Sequence, residues 1–355
     1  MTLVRALRPR AASGVGHPWR RRSAAFRRGG PGQDNPIARV QQLGTRAVPH
    51  RTGRTLARGV LAGYVAAAVV LAVTRKRSGM PPAVTLGVAS VAPLAAAAAM
   101  PPGRWRPVVA GAVYMWLFEL TWELPYDDPQ RLRERLHVRY PIRADTWLGR
   151  GVPPTLRLQR ALRRGAPDRV SGLDRAVVAV YGSWFVPHLL LGWLWVHHPE
   201  FLPRAAGRLA AAYHLTTPFY WLVPTAPPWW ASEVAGELDG EVRRVRQLVL
   251  RDLRGRPAED PADQQHSGNP WGSMPSDHIA SATITAMALS EISAAYGALG
   301  WTYVALAGFS VVYLGEHYLV DVLAGLAIAE AIRLAEPVAD PLVRRVTHGV
   351  NNLTT

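Results

Sequence analysis

Apolar runs without charge alternate with short basic connections along most of the chain. Residues 59–74, 78–103, 176–199, 209–232 and 292–315 contain no Asp, Glu, Lys or Arg. All but the first exceed the roughly 18–20 apolar residues that cross a bilayer core as a helix. A soluble amphipathic helix would instead place a charge on its wet face every turn or two. The pattern predicts eight hydrophobic helices, over residues 59–74, 83–100, 106–122, 175–196, 205–224, 278–297, 299–315 and 319–336. The first is short for a full span. Tyr296-Gly297-Ala298-Leu299-Gly300 reads as the tight turn of a hairpin between the sixth and seventh. The fold class is therefore all-α: a polytopic membrane helical bundle of about six core helices plus one or two extra N-terminal ones.

Polar segments divide the chain into a basic N-terminal tail (1–58), extra N-terminal transmembrane helices (59–104), a membrane catalytic domain (105–336) and a C-terminal tail (337–355). The tail 1–58 carries 13 Arg against one acid, Asp34. It lacks apolar periodicity, so it reads as disordered, and its charges suit anionic lipid headgroups. No motif supports nucleic acid, which is not expected as a partner. The first apolar run starts only at Gly59, so the tail is not read as a signal peptide. The chain has no cysteine and a net charge of +16, which excludes a disulfide-stapled module. Eight spans would put both termini on one side. The arginine-rich tail assigns that side to the cytoplasm, and loop 225–277 to the extracytoplasmic face of the cell membrane. Trp229, Trp230 and Trp271 fall where helices leave the bilayer, and they are expected to form an interfacial aromatic belt.

The chemistry gathers at two histidine motifs. Pro275-Ser276-Asp277-His278 opens the hairpin, and Gly315-Glu316-His317-Tyr318-Leu319-Val320-Asp321 follows it. A hairpin returns its ends to one membrane face, so His278 and His317 are expected to converge. His317 and Asp321 are four residues apart, a spacing that stacks side chains on one helical face. A carboxylate taking the imidazole N–H would fix its tautomer and leave the other nitrogen free to attack. The helix starting near Pro275 offers unpaired N–H groups and a positive dipole end to an anion. The loop before it supplies Arg243, Arg244, Arg246, Arg251, Arg254 and Arg256, and guanidinium forks match phosphate oxygens. This set predicts phosphoryl transfer through a phosphohistidine, driven by positioning and charge stabilisation. It needs neither a metal nor a cofactor.

These motifs resemble those of the type 2 phosphatidic acid phosphatase (PAP2) superfamily of membrane enzymes, whose second and third signatures are P-S-x-H and H-x-x-x-D. Within it, the chain is most similar to the inositolphosphotransferase branch, typified by inositol phosphorylceramide synthase. The residues that carry this likeness are Ala226-Pro227-Pro228-Trp229-Trp230, Gly272-Ser273-Met274-Pro275-Ser276-Asp277-His278 and His317-Tyr318. The likeness is good over residues 205–336. Over 106–200 it rests on helix count alone, and 1–100 has no counterpart. The resemblance implies that His317 is the nucleophile and that Asp321 orients it. It also implies that His278 protonates the leaving alcohol and then activates the acceptor, and that Ser276 holds a phosphoryl oxygen. The implied partners are membrane lipids, with a lipid phosphate or phospholipid as donor and inositol or another alcohol as acceptor. Water as acceptor would make the same site a lipid-phosphate phosphatase. The first signature, lysine with Arg-Pro seven and eight residues on, is absent. Arg244 and Arg251 have the spacing, but Asp252 stands in place of the proline. Arg243, Arg244, Arg246 and Arg251 are therefore the candidate phosphate-binding cations.

Other polar residues have quieter readings. His197 and His198 read as an interfacial pair, and His188 and His214 as satisfied packing residues. Glu119 and Glu123 stack on the third helix, as partners for loop arginines or as contacts for a polar substrate. Glu233, Glu237 and Glu241 read as the wet stripe of an amphipathic helix. A metal-dependent CDP-alcohol phosphotransferase would need an aspartate cluster that this sequence lacks. A transporter using His278, His317 and Asp321 as a proton relay would gain support from inverted repeats, and none is present.

Overall fold

The computed structural model describes residues 49–163, 169–238, 242–254 and 269–352. The chain divides into 1–52, of which only the start of the first helix is described, and 53–355, which holds everything below. The expected tail therefore lies outside the described residues up to position 48, as does Arg256.

Among the described residues the fold is an all-α membrane bundle, with isolated β-bridges but no strand. The first three helices are α1 (Pro49–Ser78), α2 (Pro82–Ala99) and α3 (Trp105–Glu123). A run of short helices follows: α4 (Pro129–Glu134), α5 (Arg139–Leu148) and α6 (Pro154–Leu162). Then come α7 (Gly172–Gly182), α8 (Val186–His197), α9 (Leu202–Leu222), α10 (Pro228–Glu233) and α11 (Val245–Arg254). The chain ends with α12 (Asp277–Ile292), α13 (Ala294–Tyr313) and α14 (Leu319–Asn352). Four stretches are long and apolar enough to cross a membrane by length and composition: Gly53–Ser78, Pro82–Ala99, Gly172–His197 and Ala294–Tyr313. The first helix is thus not short. The last one also continues through Pro337 and Pro341 to Asn352, where a tail was expected.

The bundle is built around α12, whose residues from Ile279 to Ala288 are all buried. Its inner face meets Leu209, Ala212 and Tyr213 of α9 and Ala329 and Ile332 of α14. Small residues let the neighbours come close. The hairpin turn is at Ser293, not at 296–300. Ser293 is extended (φ −163°, ψ 160°) and caps α13 by accepting the Tyr296 N–H at 3.2 Å. Gly297 and Gly300 instead lie inside α13, where a Cβ on Gly300 would come within 2.6 Å of Ala286 Cα. At the other end of the hairpin, Gly325 of α14 packs on the main-chain oxygen of Ser276 at the start of α12.

The short helices close one end of the bundle. His137 and Gly272 both bridge to Thr225. Asp145 of α5 accepts the N–H groups of Leu319 and Val320, both at 2.9 Å, and so caps the otherwise orphaned donors of α14. Gln159 of α6 accepts from the Arg243 N–H (2.8 Å) and donates to the main-chain oxygens of Arg243 and Tyr313. In α11, Val245 and Val249 point inward onto Val177, Tyr313 and Leu314.

Candidate active site

The last turn of α13 unwinds at Gly315, whose positive φ (77°) suits glycine. The N–H groups of Glu316 and His317 both return to the Val311 oxygen at 3.1 Å. This sharp turn sets His317 two residues ahead of α14, beside the first turn of α12. The rings of His278 and His317 lie 5.6 Å apart, edge to face. His278 also stacks on Tyr181 at 4.8 Å.

His317 is tethered on one side. Its Nδ1 is 2.8 Å from the Ser273 main-chain oxygen and 3.5 Å from Asp321 Oδ2. Asp321 is fully buried, and the same oxygen accepts the Ser273 hydroxyl (2.5 Å) and the Tyr318 N–H (2.9 Å). The expected His317–Asp321 pairing on one helical face is thus changed. His317 precedes the helix, and its closest acceptor is a backbone carbonyl.

Both histidines line a cavity of about 340 Å³. Arg244, Arg246, Glu316 and Ser273 share its wall, and α3 and α9 add Phe118, Glu119, Trp122, Tyr213 and Tyr220. Glu316 Oε1 accepts from Arg244 Nε at 3.2 Å and from Arg246 Nε at 3.0 Å. Burial opposes ionisation of Glu316, but the two guanidiniums more than offset it and hold the carboxyl down to about 2. In turn, Glu316 raises Arg246 above the usual arginine range against the opposing effect of burial. The Arg244 guanidinium also lies 4.0 Å from the Trp229 ring centroid, a cation–π contact.

A family model of the PAP2 superfamily matches residues 145–335, more than half of the chain. The chain belongs to the PAP2 superfamily. Membership brings a phosphatase or phosphotransferase type of function. Neither the curated proteins nor the solved structures give a significant match. The PAP2 match runs from Asp145 into the middle of α14, so it contains both histidine motifs. Helix α3 lies outside it and still supplies part of the cavity wall.

The structure gathers some of the expected site residues and not others. His278, His317, Arg244 and Arg246 reach the cavity, and Asp321 lies directly behind His317. Ser276 does not. It is fully buried, its N–H donates to the Asp321 main-chain oxygen at 3.0 Å, and its hydroxyl has no hydrogen-bond partner among the described residues. The close crossing of α12 and α14 buries it, and Ser273 takes the place on the wall. Arg243 and Arg251 are also absent from the wall; their charges act on Glu233 instead.

The tryptophans form no interfacial belt. Trp229, Trp230 and Trp271 are buried together with Leu132 and Ala226, because loops 124–138 and 224–235 fold over them. Trp229 carries Arg244 on its ring face, and its main-chain N–H donates to the Gly315 oxygen at 3.0 Å. The glutamate stripe is broken, since α10 ends at Glu233. Glu233 accepts the Arg244 N–H, Glu237 pairs with Arg139, and Glu241 lies outside the described residues. Glu119 faces the cavity while Glu123 pairs with Arg75 at 3.2 Å. His188 and His214 bond to Tyr213 and Tyr114, and His197 and His198 pack on Trp193.

Sequence reading missed Ser273, Glu316, Asp145 and Gln159. Ser273 and Glu316 could have been flagged as polar neighbours of the two motifs. Asp145 and Gln159 sit in a short-helix segment with no motif around them.

Proposed function

We propose that this PAP2 protein is an integral-membrane phosphotransferase that takes its phosphoryl group from a lipid phosphate or phospholipid through a phosphohistidine on His317. The observation behind this reading is the pair of imidazoles 5.6 Å apart on one cavity wall, beside Arg244 and Arg246. In the first step His317 Nε2 attacks phosphorus and an N–P bond forms. The P–O bond to the leaving alcohol breaks, and His278 gives that oxygen a proton. In the second step His278 takes the proton of the acceptor hydroxyl, whose oxygen displaces His317 from phosphorus. Asp321 and Ser273 hold the imidazole, and the two arginines balance charge on the phosphoryl oxygens. The likeness of the Pro227-Pro228-Trp229 element to the inositolphosphotransferase branch favours inositol or another alcohol as acceptor. With water as acceptor the same intermediate makes a lipid-phosphate phosphatase. The site is proposed to open on the extracytoplasmic face of the cell membrane.

The test is to trap the phosphoenzyme from radiolabelled lipid phosphates and phospholipids. Label should appear on the wild-type protein, resist a chelator, and vanish in His317→Ala. Label persisting in His317→Ala overturns the mechanism. Mass spectrometry of the products, with and without inositol, distinguishes transfer from hydrolysis.

A further inference from the structure

We propose that Tyr181 is the positioning residue that aims His278 at the reacting phosphate, through the face of its ring and not through its hydroxyl. This rests on the phosphotransfer reading and names what holds the acid–base group in it. His317 is tethered by the Ser273 oxygen and backed by Asp321. His278 has no such tether: among the described residues its imidazole makes no hydrogen bond. Ring contacts fix it instead. Tyr181 stacks on it with 26° between the planes and 4.8 Å between centroids, and His317 meets it at 67° and 5.6 Å. Both distances fall in the range favoured by packed flat rings. Rotation about the His278 Cβ–Cγ bond would tip the imidazole out of the stack. The stack therefore sets the direction in which its nitrogens point.

Tyr181 can act as the anchor because it is held independently of His278. It lies in the last turn of α7 and packs into two apolar clusters, one containing Val245 of α11 and the other Ile279 of α12. Val245 precedes Arg246 in the chain, and Ile279 follows His278. The Arg246 guanidinium also lies 5.7 Å from the Tyr181 ring centroid, within cation–π range. One ring thus spaces the proton donor from a cation that balances phosphoryl charge. The Tyr181 hydroxyl makes no hydrogen bond among the described residues, which leaves the ring face as the contact that matters. What this aim serves is proton delivery. As the P–O bond breaks, its electron pair goes to the alcohol oxygen, which takes the His278 proton. An alkoxide is too basic to depart without that proton, whereas a para-nitrophenolate departs as the anion.

Two matched donor pairs separate aim from folding: phosphatidic acid with para-nitrophenyl phosphate, and phosphatidylinositol with para-nitrophenyl inositol phosphate. Within each pair only the leaving group changes. The first step is read as release of diacylglycerol or nitrophenolate in a single turnover at saturating enzyme. A misplacement of about 1 Å can cost about a hundredfold in rate. Tyr181→Leu should therefore slow the lipid donor by about tenfold to a hundredfold and the nitrophenyl donor far less. Tyr181→Phe, which keeps the ring, should restore the lipid rate. Equal losses on both donors of a pair would show general damage to the site, and Tyr181→Phe as slow as Tyr181→Leu would show a role for the hydroxyl; either overturns the proposal. A second readout needs no turnover. In the full-length protein with isotope-labelled histidine, the magnetic resonance signal that His278→Ala removes should be shifted upfield by the Tyr181 ring current. The shift should persist in Tyr181→Phe and vanish in Tyr181→Leu; a signal unmoved by Tyr181→Leu refutes the stack. Label that stays on the His317→Ala protein would instead refute the phosphohistidine mechanism and leave the resonance comparison standing.

Discussion

The Nδ1 atom of His317 faces the main-chain oxygen of Ser273 at 2.8 Å. A carbonyl oxygen can only accept, as can the Asp321 carboxylate 3.5 Å away. Nδ1 therefore carries the imidazole proton, and Nε2 keeps its lone pair. The backbone sets the tautomer, and Asp321 supports it by holding the Ser273 hydroxyl at 2.5 Å.

Ser273→Ala keeps the carbonyl but removes a donor from a fully buried carboxylate. The expected loss is about 1–3 kcal/mol of stability, with slower phosphoenzyme formation and an unchanged product. Asp321→Asn should be worse. Its amide oxygen can still accept the Ser273 hydroxyl and the Tyr318 N–H, but the charge facing His317 Nδ1 is lost. A buried NH2 also replaces Oδ1, which has no hydrogen-bond partner among the described residues. Thermal unfolding of the two variants side by side checks the order. A Ser273→Ala protein as stable as wild type would remove Ser273 from this account.

Gly325 controls whether the two histidines meet. A Cβ there would run into the Ser276 main-chain oxygen and lie 3.2 Å from the Ala280 nitrogen. Neither backbone group can rotate away, so α14 must lift off α12. Gly325→Ala is expected to destabilise by about 1–3 kcal/mol and to reduce phosphoenzyme formation even in the folded fraction. Gly308→Ala is the control, because its Cβ would find nothing nearer than Val322 Cγ1 at 3.7 Å. Equal behaviour of the two variants would show that the α12–α14 crossing is not tight.

Four of the charge-free runs were legible as spans from length and apolarity, but the run 209–232 breaks after Leu222. The histidine motifs were legible from their order, while their spacing suggested a shared helical face that His317, lying ahead of α14, does not have. The convergence of His278 and His317 followed from the hairpin alone. What stayed hidden depends on contacts distant in sequence. Asp145 lies 174 residues from Leu319, whose N–H it accepts, and an aspartate in a basic loop carries no mark of that partner. Trp229 has the same local sequence whether it faces lipid or carries a guanidinium. The hairpin turn was misplaced because glycines serve helix contact as well as turns, and Gly297 and Gly300 do the former. The roles of Ser273 and Ser276 are exchanged by which of them the α12–α14 crossing buries, which no spacing reveals.

Asp145 should leave a signature in pH. Burial pushes its carboxyl up to about 6, only partly countered by the Leu319 and Val320 N–H groups. An unfolded aspartate titrates near 3.9. Between about pH 4 and 6 the folded protein therefore binds more protons than the unfolded chain, and Asp145 makes stability fall as pH rises through that window. Asp145→Asn removes this slope while keeping one acceptor for α14. The melting temperature of the variant should be flatter than that of wild type across this range. Parallel curves would mean that Asp145 is not the titrating group.

Arg208 offers a test of stability separated from chemistry. It lies on α9 outside the cavity wall, five residues before Tyr213, the first wall residue of that helix, about 7.5 Å along the axis. Its guanidinium is 7% exposed and joins three helices, meeting Glu291 of α12 at 2.7 Å and Glu336 of α14 at 2.6 Å. Removing one member of such a cluster strands partly buried charge. Arg204 still reaches both glutamates, at 3.5 and 2.6 Å, which limits the damage. Arg208→Met is expected to lower stability by about 2–3 kcal/mol, with phosphoenzyme formation per folded molecule unchanged. Adding Glu291→Gln and Glu336→Gln should recover part of the loss, because no carboxylate then lacks its partner. Thermal unfolding and label incorporation on the same samples separate the two effects. A drop in labelling that exceeds the loss of folded protein would show that this cluster reaches the site through α9 and α12.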